Sequence, residues 1–309
     1  MPRKRRASAR GRSVSIRSTG GFQMVSIRPA LTAHGATSLF VLLWSSGAIF
    51  AELGLRHACS VAFLSARFAL ASLVLLALSL ARRRWLPPSG TRRATVATGL
   101  LLTGGYSILY LLALERGLAP GILATILGVQ PIVTLAILER SASGARLAGL
   151  ALALAGLSLV VYRSLSGGAT LSGIACALGA LFAITAGTLL QKRVRAAPID
   201  VLPLQNALGL GLCLLIAPFE PIRFEASWSL VLPLAWLGIV ISVAAQLLFY
   251  RLMQRGDLVN VTSLFYLVPV VTALMDAVWL GNRLAPLEII GMIAIVAGLA
   301  LALRRPAHG

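Results

Sequence analysis

The chain has 309 residues, of which 58% are hydrophobic and 12% charged, and it carries a net charge of +19. A soluble domain has about 25% charged residues, so this composition excludes one and indicates a polytopic membrane protein. The basic excess invites a polyanionic partner, but its distribution along the chain (below) argues against nucleic acid.

Residues 1–35 form a tail rich in Arg, Ser and Gly. Residues 1–23 hold no apolar core of a secretory signal, and Arg5-Arg6 lacks the apolar stretch that a twin-arginine signal requires. Two readings stay open: a disordered basic tail that touches anionic lipid, or translation that starts at Met24. Ten apolar runs follow, at 36–55, 60–80, 94–114, 118–138, 145–162, 170–191, 201–219, 228–250, 258–280 and 286–303. Each approaches the ~20 residues that a helix needs to cross a bilayer. They are continuously apolar rather than alternating, so the expected fold is an all-α integral membrane protein with ten transmembrane helices, not a barrel. A short tail, 304–309, closes the chain.

The second half repeats the first. Arg67-Phe-Ala-Leu matches Gln205-Asn-Ala-Leu, Gly99 matches Gly238, and Arg116-Gly117 matches Arg255-Gly256. Pro131-Ile-Val-Thr matches Pro269-Val-Val-Thr, and the Gly149…Gly156 spacing recurs as Gly291…Gly298. The expected organisation is a first five-helix repeat at 36–163 and a second at 170–303. An odd number of helices per copy sends the second copy in from the opposite side, so the repeats should be inverted and enclose a site between them. The segment from Pro131 to Gly149 is about one helical turn shorter than its counterpart from Pro269 to Gly291. Helix four should therefore be shorter, or its exit turn tighter.

With the N-terminus in the cytoplasm, 22 of the 28 Lys and Arg fall on the cytoplasmic side, five on the other side, and Arg67 lies within a helix. That split orients the chain with both termini cytoplasmic. The basic charge therefore records topology and a lipid-bilayer partner.

Intramembrane charge is expensive and is kept for pairing, transport or coupling. Glu52, Arg67, Asp276 and Glu288 are the charged residues that are not plain loop charges. Arg67 sits roughly 10 Å into helix two at 1.5 Å per residue. It reads either as an anchor for a substrate carboxylate or gate latch, or as half of a structural ion pair with Glu52 or Asp276. Trp44, beside Ser45-Ser46-Gly47, either lines a cavity or packs. Tyr106 and Tyr110 share a face of helix three, as Gln246 and Tyr250 do of helix eight. These four either face a central cavity or bond helix to helix. Gln130 and Tyr266 accompany Pro131 and Pro269, which remove a backbone donor and act as hinges or static kinks. Gly149, Gly156, Gly291 and Gly298 read as close-packing positions, within the chain or against a second copy in a homodimer. Cys59, Cys176 and Cys213 read as small packing residues, and the scattered His and acids hold no metal-site or phosphate-loop pattern. No metal or cofactor is expected. An enzyme would need clustered acids or His that the chain lacks, and a channel would need a filter-like segment.

The five-helix duplication, Arg67-Phe68 in helix two, Pro131 and Pro269 late in helices four and nine, and the spaced glycines of helices five and ten together resemble the drug/metabolite transporter superfamily. Within it the chain is similar to the EamA-like family of bacterial inner-membrane permeases, over about 36–303. That family often carries a Leu-Gly-Glu turn after helices four and nine. Here the turns read Leu138-Glu139-Arg140 and Leu280-Gly281-Asn282. The resemblance implies a secondary transporter in the bacterial inner membrane, moving small metabolites, amino-acid-like compounds or drugs, with export common among members. A passive channel is the alternative reading, with a membrane-embedded enzyme behind it.

Overall fold

A computed structural model describes residues 27–83, 86–130, 133–134, 137, 144–166, 170–220, 222–255, 267–281 and 284–302. In chain order the helices are α1 (Ile27–Leu55), α2 (Ser60–Arg82), α3 (Ser89–Glu115), α4 (Pro120–Leu127) and α5 (Gly144–Ser166). They continue with α6 (Leu171–Gln191), α7 (Pro198–Ile216), α8 (Trp228–Gln254), α9 (Leu267–Met275 and the π-helical turn Asp276–Leu280) and α10 (Pro286–Ala302). Among the described residues, six stretches are long and apolar enough to cross a membrane: Ser38–Leu55, Ser60–Arg82, Ser89–Glu115, Leu171–Gln191, Pro198–Phe219 and Trp228–Gln254. Shorter apolar helices occur at Leu147–Gly156, Val271–Leu280 and Pro286–Gly298. Among the described residues, strand pairing is confined to one isolated bridge, Ala58 with Phe224.

Two boundaries differ from the sequence reading. Helix α1 begins at Ile27 rather than 36, so part of the expected tail is helical. The uninterrupted run expected over 118–138 breaks after Leu127. There the Gly128 amide still reaches Ala124 O at 2.8 Å, but Val129 N–H bonds Ile126 O, one residue closer than an α-helix uses. The break falls just before Pro131, which supplies no N–H and disfavours helical geometry in the residue ahead of it.

The second unforeseen feature is π-helix. The segments Gly99–Gly105 in α3 and Trp236–Ala245 in α8 widen the turn at equivalent places of the two repeats. Such bulges occur frequently at functional sites.

The halves interlock by exchange. Helix α1 packs on α8 and α9 of the second half, while α6 packs on α3 and α4 of the first. Helix α2 lies along α7. A Cβ placed on Gly99 would fall 2.9 Å from Leu208 of α7, and one on Gly238 would fall 2.8 Å from Leu70 of α2. Helices α5 and α10 repeat the pattern with backbone. A Cβ on Gly156 would meet Gly291 O at 2.6 Å, and one on Gly298 would meet Gly149 O at 2.6 Å. The glycine stripes thus face each other inside one chain and are not free for a second copy. Without a hydrophobic drive between helices in lipid, this backbone approach is what van der Waals packing has to work with.

Large apolar side chains such as Leu73, Phe182, Leu215 and Val278 point outward. In lipid an outward leucine needs no partner, which is why the helices are apolar all round. At one end the loops are stitched together: Cys59 N–H donates to Arg223 O (2.9 Å), Glu225 N–H to His57 O (2.8 Å), and the Arg223 guanidinium to Leu55 O (3.0 Å). The same substitution therefore has opposite consequences at different glycines. Gly156→Ala and Gly298→Ala should each cost about 1–3 kcal/mol through overpacking against backbone. Gly211→Ala, on α7 with nothing within 4 Å of its Cβ, should gain up to about 1 kcal/mol of helix propensity. Melting temperatures in detergent check this: equal shifts at all three positions would refute the packing assignment.

Candidate functional site

The buried apolar residues fall into two clusters, one including Phe63, Phe68 and Leu123, the other Phe40, Leu75 and Phe249. A cavity of about 70 Å³ lies where they meet, lined by both halves of the chain. Such a volume holds a few water molecules and falls well short of the ~300 Å³ or more of a small-molecule pocket.

Helix α2 brings Arg67 to this cavity, and α3 brings Tyr106 and Tyr110. The α2 backbone aims Arg67 between the π segments. Its Nε donates to Ser242 Oγ at 2.8 Å, and Ser242 Oγ donates in turn to Leu237 O at 2.8 Å, within the α8 π-helix. Its guanidinium carbon lies 5.7 Å from the centre of the Phe68 ring, at cation–π distance. Among the described residues its Nη groups carry no hydrogen bond. The partner expected in sequence was a carboxylate; the one found for Nε is a hydroxyl on the other half. A hydroxyl orients the fork without neutralising it, so the positive charge stays available to the cavity.

Trp44 also lines the cavity and packs at 5.2–5.4 Å in a cluster with Phe40 and Phe249. The Tyr106 and Tyr110 rings stand 5.6 Å apart. Gln130 is there as well, on the break after α4. Its Nε2 donates to Thr188 Oγ1 at 3.3 Å, while its Oε1 is buried with no hydrogen-bond partner among the described residues. Thr272 Oγ1 of α9, fully buried and on the same cavity wall, is likewise unpartnered there. Its repeat counterpart Thr134 instead donates to Gln130 O at 2.9 Å. An unpaired buried polar atom costs about 1–3 kcal/mol, a cost a fold retains where a ligand or water completes the bond.

Gln246 adjoins a smaller void of about 20 Å³ that shares Trp44, Arg67 and Tyr106 with the cavity. Tyr250 is bonded to Gln246 but opens on a different space. Glu52 is half-buried and lies off the cavity wall. Asp276 is also off it: its Oδ2 accepts the Gly121 N–H at 3.0 Å, in the first turn of α4. That bond satisfies one of the amides a helix leaves open at its start and places a negative charge at the positive end of the helix. Among the hinge and cavity candidates, Pro131 and Tyr266 lie outside the described residues. Pro269 lies in α9, with its side chain outside them.

Sequence reasoning missed Ser242 and Thr272. A weak signal existed for Thr272, since Pro-x-Val-Thr occurs in both copies, but nothing distinguished Ser242 from a packing serine. It also missed the ion pair of Arg82 with Asp200 at 3.2 Å, which joins the ends of α2 and α7.

The paired, exchanged halves around a central, mostly apolar cavity define a polytopic membrane protein. The EamA-like transporter family model matches twice, over residues 33–162 and 171–304. The chain belongs to the EamA-like transporter family, a family of membrane transporters of small molecules rather than enzymes. A solved structure titled "Crystal structure of protein" has the same fold. It is 23% identical and superposes with a TM-score of 0.63, covering 88% of this chain and 98% of its own. No curated protein matches the chain.

The Gly121–Asp276 contact has a direct test. Asp276→Ala strands the amide and should cost about 1–3 kcal/mol. Asp276→Asn keeps an acceptor and should cost less, so its melting temperature should fall between those of the parent and the alanine variant. Parental stability in Asp276→Ala would remove the capping role.

Proposed function

We propose that the protein is a secondary transporter, acting as an exporter, that carries small metabolites, amino-acid-like compounds or drugs across the bacterial inner membrane by alternating access. In this reading ten helices span the bilayer as two inverted five-helix repeats, with both termini in the cytoplasm. One observation carries it. The Arg67 guanidinium, two tyrosines and two buried oxygens without a hydrogen-bond partner among the described residues (Gln130 Oε1 and Thr272 Oγ1) converge on a cavity between the halves.

The arrangement suits a solute with an anionic end and a donor end. The Nη fork of Arg67 takes a carboxylate in bidentate fashion. Gln130 Oε1 and Thr272 Oγ1 accept from an ammonium or amide. Trp44 and the tyrosines cover an apolar portion. The small volume of the central cavity fits a carrier that rearranges around its cargo better than a permanently open channel. The exchanged contacts of α1 with α8 and α9, and of α6 with α3 and α4, supply two equivalent bodies that can rock about the site.

Arg67→Gln should abolish uptake of zwitterionic solutes into proteoliposomes, and Arg67→Lys should retain partial activity, because lysine keeps the charge but not the fork. Full transport in Arg67→Gln would remove the anchor from the mechanism. Orientation has its own measurement, in a background with the native cysteines replaced. A cysteine at Ser172 should react with an impermeant maleimide in intact cells, and one at Ser89 should not. The reverse pattern would invert the topology.

A further inference from the structure

The repeat counterpart of Arg67 is Gln205, and it is the hub of a second polar cluster. Gln205 is fully buried on α7. Its Nε2 donates to Thr98 Oγ1 of α3 at 2.6 Å and to Gln191 Oε1 at the end of α6 at 2.8 Å. Its Oε1 accepts from the Tyr250 hydroxyl of α8 at 2.7 Å, and Gln246 Nε2 donates to that hydroxyl at 3.3 Å. One amide thus ties together helices from both halves, entirely through side chains.

The cluster stands between two spaces. On one side is the void that Gln246 shares with Trp44, Arg67 and Tyr106, continuous in its lining with the central cavity. On the other is a cavity of about 380 Å³ lined by Gln191, Tyr250, Gln254, Lys192 and Arg195. Gln246 borders the first space, while Tyr250 and Gln191 border the second, so the hydrogen-bonded cluster reaches from one to the other.

We propose that the Gln205–Tyr250–Gln191–Thr98 cluster is the gate that closes the solute path at the Lys192–Arg195 end, and that the 380 Å³ cavity is the vestibule beyond it. This rests on the transporter reading above. The chemistry suits a gate. Each contact is a neutral hydrogen bond, of small net worth because water replaces it when the groups separate. In lipid such side-chain hydrogen bonds also fasten helices; what points to a gate is that this cluster lies between two spaces. The two ends are also chemically unlike: the fixed cation sits on the cavity side, and the layer toward the vestibule carries no charge.

The test reads access rather than transport. In a background with Cys59, Cys176 and Cys213 replaced, Ser107→Cys places a thiol on the wall of both inner spaces. Its reaction with an impermeant maleimide is followed in sealed vesicles of each orientation, with Lys192→Cys marking its own face. Tyr250→Phe removes the hydroxyl that holds Gln205 and Gln246. Labelling of Ser107→Cys from the Lys192 face should rise about tenfold, the equivalent of one or two such bonds, without a rise from the opposite face. Gln246→Met should act in the same direction and serves if Tyr250→Phe does not insert. Unchanged labelling from the Lys192 face, or an equal rise from both faces, overturns the gate. Transport that persists beside unchanged labelling removes the gate alone, whereas a labelling change in a protein that moves no solute removes the transporter reading instead.

Discussion

In hydrocarbon no water is present to complete a broken backbone hydrogen bond, and this constraint organises the molecule. The helices depart from regular α geometry in several places, and some of the polar groups beside these places are met by the other half or by a side chain. The first turn of α4 opens beside Asp276, whose carboxylate takes the Gly121 amide. The π turn of α8 holds Ser242 against Leu237 O, and that same hydroxyl steers Arg67. The π segments of α3 and α8 lie beside the cavity, whereas the π turn of α9 carries Val278 and Trp279 on the outer surface.

The glycines enforce the same economy of space. Where α5 meets α10 and where each π segment meets its neighbour, a single added methyl group would collide with backbone or with a packed leucine. The contacts come in pairs related by exchanging the halves. Gly99 lies on Leu208 as Gly238 lies on Leu70, and Gly156 lies on Gly291 as Gly298 lies on Gly149. Polar groups do not follow this symmetry. Arg67 and Gln205 occupy equivalent positions with different chemistry, as do Thr134 and Thr272 with different bonding.

Membership of the family and the two-repeat architecture were readable from sequence, because lipid demands long apolar runs and duplication leaves spaced glycines and prolines at a constant offset. Arg67, Trp44, Tyr106, Tyr110 and Gln130 stood out because a polar or bulky residue in an apolar run is conspicuous, and all five line the cavity. What could not be read was pairing. Arg67 was expected beside a carboxylate, yet its Nε meets a serine 175 residues away. Asp276 carries a charge in an apolar run for a reason that depends on where another helix begins. The π turns were invisible as well, since their sequences are as apolar as any α-helix.

A five-helix half that paired with an identical copy would make the Gly156–Gly291 and Gly298–Gly149 contacts twice over, and nothing in that packing requires the halves to differ. Such a pair would nevertheless carry every side chain in duplicate, including two buried guanidiniums at the position of Arg67 and no amide hub at the position of Gln205. Joining both copies in one polypeptide releases that tie. A residue on one side of the axis can change without its image changing, so a single positive charge can occupy one end of the route and a neutral cluster the other. Directionality of this kind is open to a fused duplicate and closed to a symmetric pair.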